Sequence, residues 1–304
     1  MPKEDTKKRI RDILDIPRRL KYLYSSESAS RDMKLHYLFL RLAFSKKKAS
    51  RLLAESLMDF GPDASAQEGV PCFRIKDLVI HPPYPLHAMK DKDTYLANCG
   101  CLIVESFLFT EFIFPAFLKP RPGDVCLDVG ADIGTTSILL SQMIGAQGRV
   151  YSFEPVFHQV LNKNLMLNAP HHNWKVVGKA VTDQSEETVH MQENECFPAT
   201  HICHPVYKPD ASARLHQVKT ISLDDFARTE NLQRVDYIKM DIEGAEELAL
   251  RGAQRILSQF KPRLTISSYH KDFQGEKQHY KLMNILKEYH YRIREYPHEH
   301  IWAF

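Results

Sequence analysis

The sequence predicts a mixed α/β protein: a doubly wound, mostly parallel sheet with a terminal antiparallel hairpin, preceded by a helical amino-terminal region. Three observations carry this. From Pro122 onward, short apolar runs alternate with helix-period segments, the rhythm of βα units. One run, DVCLDVG at 124–130, ends in glycine just before a helical segment, as a buried parallel strand does. The last two strand-like runs, Tyr291–Tyr296 and His300–Phe304, are joined by a turn too short for anything but antiparallel pairing.

The elements follow in order. Residues 6–60 read as helices, with Ile10, Ile13 and Leu14 at helical spacing and Pro17 as a break. Cys72–Ile80 reads as a short strand region closed by a proline-rich turn. We divide the chain into a basic, helical and irregular region or cap over 1–95 and a ligand-binding domain over 96–304. Within the latter, Gly134–Ile144 is a helix, Arg149–Phe153 a strand and Val156–Asn168 a helix. Trp174–Val181 reads as a third strand and Val235–Ile242 as a fourth, followed by one helix over Ala245–Phe260. Arg263–Ser268 is a fifth strand and Glu276–His290 the last helix. Between the third and fourth strands the rhythm fails. Glu187–Gln192 and Gln217–Ile221 suggest an added hairpin, and 193–215 reads as a long loop of the kind that usually carries function.

Composition sets limits. At 304 residues and 43% hydrophobic content, the chain can bury one substantial core. Six cysteines without a C-x-x-C pair, and no signal peptide, point to free thiols in a reducing cytoplasm. No apolar stretch reaches the length of a membrane span. The net charge of +3 is uneven, since residues 1–60 hold 15 Lys/Arg against 8 Asp/Glu. Such an arm suits peripheral contact with an anionic membrane, or simply a solvated helical face. The remainder is slightly acidic and has no basic-aromatic stripe, which argues against a nucleic-acid acceptor.

The sharpest local signal is Asp128-Val129-Gly130-Ala131-Asp132-Ile133-Gly134, a turn between strand and helix. Gly130 permits a positive φ and close approach of a ligand to the backbone. The helix beginning near Gly134 offers its positive end to a ligand carboxylate. Asp128 is placed to accept from an ammonium group. A dinucleotide loop needs a second glycine where Asp132 stands, and a carboxylate there would repel a pyrophosphate. The loop therefore favours a cofactor without phosphates and disfavours an NAD-type oxidoreductase. Glu154, closing the second strand, is suited to ribose hydroxyls, and Ala180 at the end of the third strand to a flat base.

The fourth strand runs VDYIKMDIEGAE. Asp241 and Glu243 fall at its carboxyl end, where open α/β sheets bind ligands. Lys239 is a rare buried lysine that needs a partner, either Asp241 or Asp128. Glu246 reads as a first-turn acid favoured by the helix dipole. His270, ending the fifth strand, has an imidazole matched to neutral-pH proton transfer. Asp241, Glu243 and His270 also form a potential divalent-metal set. Cys196, His201, Cys203 and His204 have a spacing that matches no usual zinc site.

With DVGADIG at 128–134, SFEP at 152–155, ISLDD at 221–225 and IKMDIEGAE at 238–246, the chain resembles the FkbM family of methyltransferases over roughly residues 100–290. The resemblance implies a class I, Rossmann-like methyltransferase fold, S-adenosylmethionine as methyl donor, and mostly O-methylation of small molecules, sugars or natural products. Asp132 departs from the asparagine the family usually carries. On this reading Asp128, Gly130, Ala131, Asp132, Gly134, Glu154 and Ala180 surround the cofactor. Asp241 is the first candidate for general base and His270 the second, with Lys239 orienting Asp241 and Glu243 positioning the acceptor. The competing reading is a binding module that has kept the fold without the chemistry.

Overall fold

The computed structural model describes residues 72–75, 78–82, 114–193, 200–203, 214–272, 274–296 and 300–304. The helices expected over 6–60, with the basic arm, lie outside the described residues. Among the described residues, no helix is long and apolar enough to cross a membrane.

A seven-stranded sheet forms the centre. Its strands are β3 (Val125–Val129), β4 (Arg149–Phe153), β5 (Trp174–Val177), β10 (Tyr237–Met240), β11 (Arg263–Ser267), β12 (Ile293–Tyr296) and β13 (His300–Ala303). They lie in the order β12-β13-β11-β10-β3-β4-β5. Neighbours from β11 to β5 are parallel, while β13 runs antiparallel to both β11 and β12. The expected terminal hairpin is thus present, with its last strand wedged between its partner and the parallel sheet. This is the mostly parallel class I methyltransferase arrangement that the sequence implies. The order reverses between β3 and β10, so the switch point lies where those two strands end.

The buried runs explain the sheet. Cys126, Leu127 and Val129 on β3, and Tyr237, Ile238 and Met240 on β10, are inaccessible to solvent, as strands covered on both faces require. Helices α1 (Thr135–Ile144), α2 (His158–Asn168), α4 (Glu246–Arg251) and α5 (His279–Glu288) supply the covering layers. Tyr237 sits in the core with its hydroxyl 2.7 Å from Thr265 Oγ1 and its ring against Phe114.

Upstream of the sheet, Cys72–Ile80 forms two short antiparallel strands, β1 (Phe73–Ile75) and β2 (Leu78–Ile80), rather than one strand region. Two asparagines of α2 hold β2 and the residue after it. Asn168 exchanges both amide groups with Val79, at 2.8 Å each, and Asn164 does so with His81 at 2.8 and 3.0 Å. Buried amides of this kind are favourable because every donor and acceptor finds a partner.

Three other elements differ from the sequence reading. The expected third strand splits at Gly178-Lys179 into β5 and the two-residue β6 (Ala180–Val181), which leaves the central sheet. Gly178 lies against the His158 ring, where a Cβ would come within 3.2 Å of the imidazole. β6 joins an accessory sheet of order β6-β9-β7-β8, with β7 at Thr188–Glu193, β8 at Thr200–Ile202 and β9 at Leu215–Ile221. The expected hairpin is β7 with β9, and β8 places a strand inside the stretch read as loop.

A helix that periodicity did not reveal, α3 (Leu223–Thr229), follows β9. Its signal is the cap: Ser222 Oγ accepts from Asp225 N at 3.1 Å, and two acids occupy the first turn. The single helix expected over Ala245–Phe260 is broken. α4 ends at Arg251, and a π-helical turn covers Ile256–Phe260. Gly252 lies so close to the residue after β6 that a Cβ would meet Thr182 O at 2.4 Å, and Asp224 starts the second piece by accepting from Arg255 N and Ile256 N at 2.8 and 3.0 Å.

Candidate active site

The site lies at the carboxyl ends of β3, β4, β10 and β11. Its first wall is the turn after β3. Gly130 and Ala131 both donate to Phe153 O, at 3.1 and 3.0 Å, which fastens the turn to the end of β4. Gly130 has φ +82°, and a Cβ there would lie 1.8 Å from Asp241 O. The close approach expected from a ligand at this glycine is thus made by the chain itself, at the switch point. Gly134, with φ +99°, ends the turn and leads into α1, which no side chain caps. Between them Asp132 holds φ +48°, unusual for a residue with a side chain.

Asp128 stands behind this turn, fully buried. Its Oδ2 accepts from Ser137 Oγ at 2.6 Å, and its Oδ1 lies 3.3 Å from Lys239 Nζ. Lys239 also donates to Gly130 O at 2.6 Å. Of the two partners the sequence offered for this lysine, Asp128 is within ion-pair distance, because the two residues are register neighbours on adjacent strands. Burial works against the lysine's charge. Asp128 and Asp241 outweigh it, so the ammonium holds its proton more tightly than usual. Lys239 thus ties Asp128 to the backbone of the turn, while the buried Asp128 Oδ1 makes no hydrogen bond.

Asp132 and Glu154 face one another across the turn. Burial, then the charge of Glu154, push the Asp132 carboxyl well above the ordinary range. Its Oδ1 has no hydrogen-bond partner. Glu154 sits where the sequence put it, at the tip of β4. Its Oε1 accepts from Val156 N and Phe157 N at 2.8 and 2.9 Å. Burial raises its pKa, and these backbone donors offset only part of the rise. Ala180, expected beside a flat base at a strand tip, lies instead in β6 paired with Thr220 of the accessory sheet.

The second wall is the turn between β10 and α4. It brings together Asp241, Glu243 and His270, as the sequence suggested. His270 Nε2 lies 3.7 Å from Asp241 Oδ1 and 3.4 Å from Glu243 Oε2, and its Nδ1 is 2.9 Å from Glu246 Oε1. Burial disfavours the charged ring, yet Glu243, Glu246 and Asp241 carry its pKa up to about 10. A ring that keeps its proton at neutral pH is a poor base, which favours Asp241 over His270 in that role. Burial raises the Asp241 carboxyl, with Lys239 and His270 countering only in part. Burial also raises Glu243, but His270 more than reverses this and holds it below the ordinary range.

Glu246 is the residue the sequence undervalued. It opens the first turn of α4, as the sequence reads, but it is also fully buried. Its Oε1 accepts from Ile242 N at 3.1 Å and binds His270; its Oε2 accepts from Gly244 N at 3.0 Å and Gln278 Nε2 at 2.7 Å. The one hint was Ala245 at the cap position, which offers no acceptor to the N–H groups of the turn. Of the Cys/His cluster, only exposed His201 and half-buried Cys203 belong to the described residues.

A mostly parallel sheet with a glycine turn and acidic strand ends at its switch point is the class I methyltransferase fold. The family model of the methyltransferase FkbM domain matches residues 128–293, and the chain belongs to that family. Among solved structures it is similar to methyltransferase FkbM from Methylobacillus flagellatus KT, with 19% identity over 72% of this chain and 56% of that one and a TM-score of 0.45. This chain therefore spans little more than half of that protein's length. Fibrillarin from Aeropyrum pernix, solved with natively bound S-adenosyl-L-methionine, is 15% identical over 60% of this chain and 67% of its own, with a TM-score of 0.38. A SAM-dependent O-methyltransferase from Thermotoga maritima is 12% identical over 60% and 59%, with a TM-score of 0.35. No curated protein matches the chain.

Proposed function

We propose that this chain transfers a methyl group from S-adenosylmethionine to a hydroxyl of a small molecule, such as a sugar or natural product. The observation that carries this reading is the charge pattern at the switch point. Asp132, Glu154, Asp241 and Glu243 line the carboxyl edge, faced by the cations Lys239 and His270, with the His201 and His158 imidazoles also acting on Glu243 and Glu154. An edge so acidic suits a cofactor with a sulfonium, an ammonium and ribose hydroxyls. It repels the pyrophosphate of a dinucleotide, which disfavours the oxidoreductase reading.

In this reading the turn over Gly130–Gly134 and Glu154 hold the cofactor, and the unpartnered Asp132 oxygen faces its positive charge. When bound, the cofactor supplies a methyl group already activated for in-line displacement. The chain's own task is then to align the acceptor and relieve it of a proton. Asp241 is suited to that task, since burial makes its carboxylate more basic than an exposed aspartate. Protonated His270 holds the Asp241 and Glu243 side chains in place and favours the acceptor oxygen as it gains charge.

The test is twofold. S-adenosylhomocysteine, and not NAD, should raise the melting temperature of the protein. Asp241→Ala should keep that response and lose labelled methyl transfer to an extract by about 100-fold or more. Stabilisation by NAD alone would overturn the reading, and unchanged turnover in Asp241→Ala would remove Asp241 from the chemistry. A module that binds without reacting would show the thermal shift and no transfer from wild type.

A further inference from the structure

Glu246 organises the turn that carries Glu243, and a residue 32 positions further along the chain holds Glu246. The turn is left-handed twice in a row, at Glu243 with φ +54° and at Gly244 with φ +110°. This bend brings the N–H groups of Ile242 and Gly244 to the Glu246 carboxylate, at 3.1 and 3.0 Å. Gln278, wholly buried at the cap of α5, closes the arrangement. Its Oε1 accepts from Glu247 N at 3.3 Å, which turns its Nε2 toward Glu246 Oε2 at 2.7 Å. With three N–H donors already on it, Glu246 is the acceptor, so the ring donates in the 2.9 Å contact at His270 Nδ1. The other ring nitrogen, Nε2, is left buried without a hydrogen bond, 3.7 Å from Asp241 Oδ1 and 3.4 Å from Glu243 Oε2.

We propose that Gln278 is a positioning residue for methyl transfer: its amide fixes the Glu246 carboxylate, and Glu246 fixes the His270 ring with Nε2 turned toward the oxygen that accepts the methyl group. This rests on the methyltransferase reading and deepens it. A donor aimed at a reacting atom is effective only when its neighbours have set its direction beforehand. An imidazole held at one nitrogen still swings with its partner unless that partner is held too. Gln278 and the two backbone N–H groups hold Glu246, and Tyr269 lies against the imidazole, ring centroids 4.0 Å apart. Asp241 and His270 Nε2 then meet the acceptor hydroxyl together. Asp241 takes its proton, and the Nε2–H bonds to the oxygen as it gains charge. The oxygen bonds to the methyl carbon, and the carbon–sulfur bond breaks to leave the neutral thioether. Glutamine suits the position because it accepts from Glu247 N and donates to Glu246 at once. A leucine would leave both groups short of a partner, and a glutamate would set carboxylate against carboxylate.

The experiment follows the His270 ring by NMR in full-length protein carrying ¹⁵N-labelled histidine. Calorimetry with S-adenosylhomocysteine and labelled methyl transfer to an extract are run on the same samples. The His270 signals are those that vanish in His270→Asn. Gln278→Leu should shift and broaden the Nδ1 signal and lower transfer by about 10-fold or more, while the calorimetric affinity holds. Gln278→Glu, which keeps the length of the side chain, should act in the same direction and stands in if the leucine variant does not fold. Lys281→Ala, on the same helix and paired with Asp272, should change neither ring nor rate. Unchanged transfer in both Gln278 variants overturns the proposal. So does a fall in transfer with the His270 signals unmoved, a fall matched by lost thioether binding, or an equal fall in Lys281→Ala, since each marks a merely structural role. Absence of thioether binding in the wild type would instead strike the methyltransferase reading. The ring signals, read without cofactor, keep the two failures apart.

Discussion

Both ends of the central sheet carry acids, and they treat them differently. At the amino end, Asp124 is paired with Arg263, and Asp236 takes two bonds from Arg234 at 2.7 Å while accepting from Val125 N at 2.8 Å. At the carboxyl end, Asp132 and Asp241 each leave a buried oxygen without a hydrogen bond, as does His270 its Nε2. Both Asp132 and Asp241 are pushed toward the protonated form by burial. Saturated charges fix strands in place; unsaturated ones are left for a ligand or water to satisfy. The contrast sets the carboxyl edge apart in a sheet whose strands look alike from either end.

Two substitutions would break this contrast. The larger effect belongs to Gly130→Ala. A Cβ 1.8 Å from Asp241 O cannot be housed without parting β3 from β10, and the positive φ adds strain. We expect a loss above ~3 kcal/mol in urea unfolding, with thioether binding abolished. A variant that keeps both would mean that the switch point is loose. Arg263→Ala should cost less, about 1–3 kcal/mol, because the buried Asp124 carboxylate loses its main partner but keeps Arg121 N at 2.7 Å and Arg234 at 3.8 Å. Here, however, the folded fraction should bind S-adenosylhomocysteine as well as wild type does. Binding lost without destabilisation would erase the division of labour between the two ends.

How much of this was legible beforehand depended on whether a feature is local. Arg149–Phe153 is bounded as the sequence reads, since an apolar run between a turn and Glu-Pro has no rival interpretation. The glycine turn, Glu154 and the meeting of Asp241 with His270 were legible too, because strand ends in a doubly wound sheet converge by topology. What escaped depends on contacts distant in sequence. Nothing in WKVVGKAV announces that Val181 will pair with Ile221, which is why the third strand breaks and Ala180 leaves the central sheet. Nothing in Glu246 itself shows that Gln278 and His270 will fold over it. The basicity of His270 was misjudged for the same reason: three carboxylates from one turn close around a residue from another strand.

The smallest predicted effect is also the most discriminating. Asp132→Asn keeps the size of the side chain and removes its charge. Because the folded pKa is raised, the native state binds the proton more tightly than the unfolded chain. Below about pH 4, where both states are protonated, the carboxyl costs nothing. Stability then falls as pH rises through the folded pKa, and above it the full cost persists. The asparagine variant should therefore be more stable at pH 7, by an amount on the order of 1 kcal/mol for one orphaned buried polar group, and indistinguishable near pH 3.5. Melting temperatures of both proteins across that range measure the difference. The same substitution should lower the preference for the sulfonium cofactor over its neutral thioether, read by calorimetry with each, because a positive centre loses its facing carboxylate. Parallel melting curves at every pH would show the Asp132 carboxyl to be as settled as Asp124, and the carboxyl edge would lose its claim to be the strained one.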